Sequence, residues 1–230
     1  MPRPQALIVE DTEEFARMGR KVLEQEGFEV THAVSAEAGL ALVPGSSFEL
    51  YLVDVTLPGM DGFEFCRRLR ESSDAYVIMV TGRDADAEKV VGFRMGADDY
   101  VTKPYSPLEL SARILAMRRR PRAAPQTDGQ ARSFGRLELD ADGREVRVDG
   151  QLVELTRIEF DLLAVLSSAP KRVFTRAQLL ETVWGYSDGD DHVVNVHMGN
   201  MRRKLRAHGD DVDLIRTVRG VGYKFDPAAL

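Results

Sequence analysis

The sequence predicts two folded units. Residues 1–121 predict an α/β unit on a five-stranded parallel sheet, and residues 134–230 an α+β unit laid out as a winged helix-turn-helix. Three observations carry this prediction. Apolar runs alternate with amphipathic segments through the first half, as strands joined by helical crossovers require. The stretch PRAAPQTDGQARS, starting at Pro121, then holds two prolines, a glycine and no large apolar residue, so residues 122–133 read as a flexible linker. Beyond it come short alternating runs with Asp-Gly turns, three helical segments and a closing pair of strands. A length of 230 residues suits two ordinary domains.

In the first unit the apolar runs are Ala6–Val9, Phe28–Ala33, Leu50–Val53, Tyr76–Val80 and Tyr100–Val101, and the amphipathic segments cover residues 12–26, 36–43, 61–72, 85–95 and 107–120. In the first of these, Phe15, Met18, Val22 and Leu23 recur at helical spacing and predict the buried stripe. The central stretch is residues 48–62, FELYLVDVTLPGMDG. Its continuous apolar run marks a strand buried on both faces. The run ends in Asp54, and open α/β sheets bind their ligands outside the carboxyl ends of such strands. A buried carboxylate is unfavourable unless paired or metal-bound. Asp54 is therefore either a capping acid for the next turn or a working group. Glu10, Thr81 and Lys103 close the first, fourth and fifth strands on the same edge.

In the second unit Leu137, Leu139, Val146, Val148, Leu152 and Val153 alternate around turns at Asp142-Gly143 and Asp149-Gly150, a meander of hairpins. Thr156 caps a helix, with Glu159 completing a capping box, and that helix buries Phe160, Leu163 and Leu166. Thr175 caps a second helix carrying Leu179, Leu180, Val183 and Trp184. A third runs from about Asp191 to Ala207 and turns Val194, Met198, Met201 and Leu205 to the core. The last stretch, residues 214–225, reads as two strands around a Gly-containing turn.

Composition excludes several classes. No segment approaches the roughly 20 apolar residues of a membrane helix, and MPRPQALIVEDTEE lacks the layout of a signal peptide. The lone Cys66 excludes an internal disulfide framework and fits a packed residue in a reducing cytoplasm. The expected location is cytoplasmic. The formal charge of −6 divides into −5 for residues 1–121 and −1 for the remainder, so any nucleic-acid surface must be local.

If the first and third strands are neighbours, Glu10, Asp11 and Asp54 converge. Three clustered carboxylates raise one another's pKa, and the usual remedy is a hard divalent cation with oxygen ligands, Mg²⁺ first and Mn²⁺ next. A hydroxyl at Thr81 and an ammonium at Lys103 above such a cluster suit a tetrahedral dianion, and Asp54 is placed to become an acyl phosphate. A hydrolase of the haloacid dehalogenase kind is the competing enzyme reading. It requires a second acid two residues after the nucleophile, where this sequence has Thr56. No P-loop pattern is present, so the expectation is a protein that is not an enzyme beyond its own phosphorylation and dephosphorylation.

Glu10-Asp11, Asp54 within DVTLPGMDG, Thr81-Gly82 and GADDYVTKP at residues 96–104 resemble the receiver domain of two-component response regulators across residues 4–120. Residues 134–225, ending in TVRGVGYKF, resemble the winged-helix effector domain of the OmpR/PhoB subfamily. The resemblance implies a flavodoxin-like sheet of order 2-1-3-4-5. It also implies phosphoryl transfer to Asp54 from a sensor histidine kinase. The metal ligands would be Asp11, Asp54 and the carbonyl of Thr56, with Glu10 acting through water. It further implies a switch in which Thr81 closes on the phosphoryl group and Tyr100 turns inward. A two-fold dimer face would pair Lys89 with Glu109, Asp99 with Arg113 and Asp98 with Arg120, around Val90, Phe93 and Ala112.

The third helix of the second unit carries Asn195, Val196, Gly199, Arg202, Arg203 and Arg206 away from its apolar stripe, and residues 192–225 hold seven Lys/Arg against three Asp/Glu. A cationic helix suits the DNA major groove, and Arg219 at the Gly turn suits the minor groove or a phosphate. Asn195, Val196, Asn200, Arg202, Arg203 and Arg219 are the candidate contacts to double-stranded promoter DNA. A winged domain that binds protein instead is the alternative. His192 and His197 read as surface or capping residues. The acidic loop WGYSDGDD, residues 184–191, is expected to be exposed, and the resemblance implies that it can contact RNA polymerase.

Overall fold

The computed structural model describes residues 2–82, 92, 95–119, 131–186, 192–209 and 214–227. The chain divides into two compact units, Met1–Arg118 and Arg119–Leu230.

In the first unit the order is β1 (Gln5–Val9), α1 (Glu13–Gln25), β2 (Glu29–Ala33), α2 (Ala36–Ala41), β3 (Phe48–Asp54), α3 (Gly62–Leu69), β4 (Tyr76–Thr81), β5 (Asp99–Thr102) and α4 (Pro107–Arg119). The sheet has the order β2-β1-β3-β4-β5, with every pair parallel. This is the flavodoxin-like order expected. β4 is buried along its whole length, and β3 from Leu50 onward. The strand order reverses at β1, so the crevice of the fold opens where β1 and β3 end. In register, Val9 lies opposite Val53, and Asp54 opposite Val80.

The buried face of α1 differs in phase from the expectation. Ala16, Gly19, Val22 and Leu23 are buried, whereas Phe15 and Met18 are only half-buried. The reason is close packing at Gly19. A Cβ there would stand 2.8 Å from Leu52 Cδ2, so α1 turns its smallest residues to the sheet and leaves Phe15 leaning over the sheet's carboxyl edge. Of the helical segment expected over 85–95, Lys89, Val90 and Phe93 lie outside the described residues; only Gly92, which is helical, and Met95 are described.

The second unit runs β6 (Arg132–Phe134), β7 (Leu137–Asp140), β8 (Glu145–Val148), β9 (Gln151–Leu152), α5 (Arg157–Ser168), β10 (Val173–Thr175), α6 (Arg176–Trp184), α7 (His192–Ala207), β11 (Ile215–Val218) and β12 (Gly222–Phe225). The first four strands form an antiparallel meander, and the last sheet has the order β10-β12-β11. Two details differ from the reading of the sequence. β6 starts at Arg132, inside the expected linker, because Arg132 to Phe134 pairs with β7 and stacks Phe134 on Phe225 at a 4.7 Å ring separation. β10 is too short to leave a sequence signal and exists through its pairing with β12. Both expected helix caps form, with Thr156–Glu159 and Thr175–Gln178 each closing a capping box. The three helices and β12 enclose Phe160, Leu163, Leu180, Trp184, Met198, Leu205 and Phe225, all buried.

Candidate functional site

The carboxyl edge of the parallel sheet brings the expected acids together. Ligand oxygens of Glu10, Asp11 and Asp54 lie within 4.8 Å of one another. Glu10 and Asp54 are buried, while Asp11 faces solvent, so the cluster has one open side. Lys103 Nζ bridges the two buried acids, 2.8 Å from Asp54 Oδ2 and 2.8 Å from Glu10 Oε2. The second Asp54 oxygen accepts the Thr56 backbone N–H at 3.1 Å. Burial pushes the Glu10 carboxyl above its ordinary value; the Lys103 hydrogen bond opposes this and the Asp54 charge adds to it. The Glu10 carbonyl accepts from His32 Nε2 at 2.8 Å, which fixes the backbone that carries the pair of acids.

Thr81 is fully buried, and its hydroxyl donates to the Gly82 carbonyl at 3.0 Å. The Lys103 N–H donates to the Thr81 carbonyl at 2.6 Å, so hydroxyl and ammonium sit on adjoining strand ends. The Lys103 ammonium lies 4.2 Å from the centre of the Phe15 ring, a cation–π contact the sequence reading missed. A signal was present, since Phe15 stands four residues after Asp11, one helical turn from the acids. Tyr100 is buried with its ring inward, its hydroxyl donating to Met79 Sδ at 3.1 Å.

The residues expected on a dimer face separate. Asp99 holds Arg113 at 2.6 Å, and Arg113 also reaches Glu109 at 3.2 Å, all within one chain. Asp98 does not lie on an exposed face. Its carboxylate is fully buried, 2.6 Å from Arg70 and accepting the Val77 N–H at 2.8 Å. Arg70 also donates to the Gly96, Ser73 and Ala75 carbonyls, so this pair ties the end of α3 to the start of β5. Arg120 lies outside the described residues. On α4, Ala112 is exposed together with Leu108 and Leu115, an apolar stripe at spacings of four and three that the sequence reading did not collect.

On α7, Val196 is half-buried and Gly199, Arg203 and Arg206 are exposed. Asn195 Oδ1 accepts from Arg176 Nε and from the Tyr223 hydroxyl, both at 2.7 Å. Arg202 donates to the Ile215 carbonyl and, at 3.0 Å, to Thr217 Oγ1, so it fastens α7 to β11. Arg219 is exposed at the β11–β12 turn, where Gly220 has a φ of 73°. Asn200 is a correction. It is buried and accepts from Arg203 at 3.2 Å, because it follows Val193 and His197 along the covered flank of the helix. His197 is likewise buried, packed on Trp184, and is not a surface residue. Of the loop expected to be exposed over 184–191, Trp184 is instead buried at the end of α6 and Gly185 caps that helix, while residues 187–191 lie outside the described set, as does the His192 side chain.

The family model of the response regulator receiver domain matches residues 6–115, and that of the transcriptional regulatory protein C-terminal domain matches residues 150–225. The chain is 43% identical over 223 residues to the sensory transduction protein RegX3 of Mycobacterium tuberculosis, covering 96% of this chain and 98% of that one. It is 39% identical over 226 residues to the DNA-binding response regulator MtrA of Mycolicibacterium smegmatis, covering 98% of each. The chain belongs to the OmpR/PhoB-type response regulators. The regulator also resembles two solved structures. One is DrrB, a Thermotoga maritima OmpR/PhoB homologue, at 31% identity and a TM-score of 0.52, covering 98% of this chain and all of that one. The other is a RitR mutant at 27% identity and a TM-score of 0.79, covering 97% and 99%.

The regulator is a DNA-binding transcription factor of a two-component system and not an enzyme. Membership implies a sensor kinase as partner, and DNA. Its acidic pocket suits a divalent metal: the donor set is all oxygen, and Asp11 leaves one side open, as a hard cation that keeps water ligands requires. Among the described residues no helix is long and apolar enough to cross a membrane.

Proposed function

We propose that this regulator works in the cytoplasm, where Asp54 accepts a phosphoryl group from the phosphohistidine of a sensor kinase, and that this promotes receiver dimerisation and promoter binding. The observation that carries the reading is the Lys103 ammonium held 2.8 Å from Asp54 and from Glu10. An Asp54 oxygen forms the new P–O bond as the P–N bond to the kinase imidazole breaks, and the imidazole nitrogen keeps the bonding electrons. Lys103 follows the negative charge from the carboxylate to a phosphoryl oxygen. The Thr56 N–H holds the other Asp54 oxygen, which keeps the carboxylate oriented for attack. Thr81 rotates its hydroxyl from the Gly82 carbonyl to a second phosphoryl oxygen.

Mg²⁺ or Mn²⁺, held by Asp11, Asp54, the Thr56 carbonyl and, through water, Glu10, would neutralise charge on the transferring group. The stripe of Leu108, Ala112 and Leu115, flanked by Glu109, Asp99 and Arg113, supports the dimer face, with Lys89, Val90, Phe93 and Arg120 completing it. Asn195, Val196 and Arg203 on α7, with Arg219 at the wing, form the promoter-binding surface, Arg202 serving instead to hold α7 against β11, and RNA polymerase is the downstream partner. In the test, purified protein is incubated with radiolabelled acetyl phosphate and Mg²⁺. The parent takes up label and Asp54→Ala does not. Full labelling of the variant refutes the assignment.

A further inference from the structure

Gly92 stands in a helical turn, where alanine would be more favourable, so its presence needs a reason outside the helix. The reason is Tyr100. A Cβ at position 92 would overlap the Tyr100 hydroxyl, stand 2.7 Å from its ring Cζ and 2.8 Å from Phe63 Cε1. The inward ring is held in place by its bond to Met79 Sδ, and Met79 is itself fully buried on β4, two residues before Thr81. The ring is rigid and its hydroxyl is the overlapping atom, so an added methyl is relieved chiefly by rotation of the whole side chain outward.

We propose that the missing side chain at position 92 is the socket that admits Tyr100 to the interior, which makes Gly92 a positioning residue of the switch. A Cβ there biases Tyr100 outward whatever the state of Asp54, and so uncouples Thr81 from the α4 face. This rests on the reading of Tyr100 as a switch residue.

The test uses the full chain labelled with 3-fluorotyrosine, with the Tyr100 fluorine resonance assigned by its loss in Tyr100→Phe. In the parent with Mg²⁺ and beryllofluoride, a soluble paramagnetic agent leaves that resonance sharp, and sedimentation reports a dimer. Gly92→Ala keeps its thermal midpoint, exposes the resonance to broadening and weakens beryllofluoride-induced dimerisation by roughly tenfold or more. Gly92→Ala with Tyr100→Phe, lacking the overlapping hydroxyl, recovers part of the dimer. A Tyr100 resonance that stays protected in Gly92→Ala overturns the socket. Should Gly92→Ala fail to fold, adding Tyr100→Ala restores folding if the ring is the obstacle, and failure to restore it also overturns the proposal. A parent that never dimerises would sink the switch reading alone, because the fluorine resonance still decides the socket.

Discussion

Lys103→Met isolates the electrostatics of the acidic pocket. The ammonium lies 2.8 Å from both Glu10 and Asp54, which are 3% and 4% exposed, and its own side chain is 16% exposed. Removing one partner of a buried ion pair typically destabilises by about 3–5 kcal/mol. The lower end applies here, since Asp11 leaves one side of the cluster wet. For a unit of about 118 residues the unfolding entropy near the midpoint is about 250 cal/mol/K, so ~3 kcal/mol lowers the receiver's midpoint by about 12 °C. A cation bound by the freed carboxylates returns part of that loss, about 2.7 kcal/mol at one hundred times its dissociation constant. Differential scanning calorimetry of parent and variant with and without Mg²⁺ measures both effects. A variant that melts with the parent, or one that gains no more from Mg²⁺ than the parent does, would show that Lys103 does not neutralise these acids.

Further outcomes follow from particular contacts. Cys66 is buried and its thiol is pushed up to about 12 by desolvation, so it resists a thiol reagent until the receiver unfolds, and labelling should track the denaturation curve. For the same reason stability declines as pH rises above about 9, where the unfolded thiol ionises and the folded one does not, and Cys66→Ala removes that part of the slope. Glu159→Ala loses the capping-box bond to the Thr156 N–H and the 2.7 Å contact with the partly exposed Lys204, and urea titration should show a loss of about 1–2 kcal/mol. Arg203→Ala and Arg219→Ala should each lower the slope of log affinity against log salt by about one on promoter DNA. Arg202→Ala should instead destabilise the effector unit, since its guanidinium holds the Ile215 carbonyl.

The chemistry of the pocket was legible because it is written where strands end. An apolar run fixes where a strand lies; Glu10, Asp54 and Thr81 are the first polar residues beyond three such runs, and Lys103 is the second beyond a fourth, after Thr102. A parallel sheet must bring those ends to one edge. The two helix caps were legible for a similar reason, since donor and acceptor are three residues apart. Whether a charged residue on an element's flank meets solvent or protein was not legible, because that depends on what packs against it. Asp98 and Asp99 are neighbours of one type, yet one is claimed by Arg70 at the cap just past α3 and the other by Arg113 from α4. Arg202 and Arg203 are likewise adjacent, and only the approach of β11 commits the first and leaves the second exposed. Local pattern therefore determined the sheet, its ligand edge and the reacting groups. Tertiary packing alone decided which surface charges are internal ties, that Phe15 covers Lys103, and that Gly92 makes room for Tyr100, since each depends on contact between residues far apart in the chain or on the rotation of one helix by a fraction of a turn.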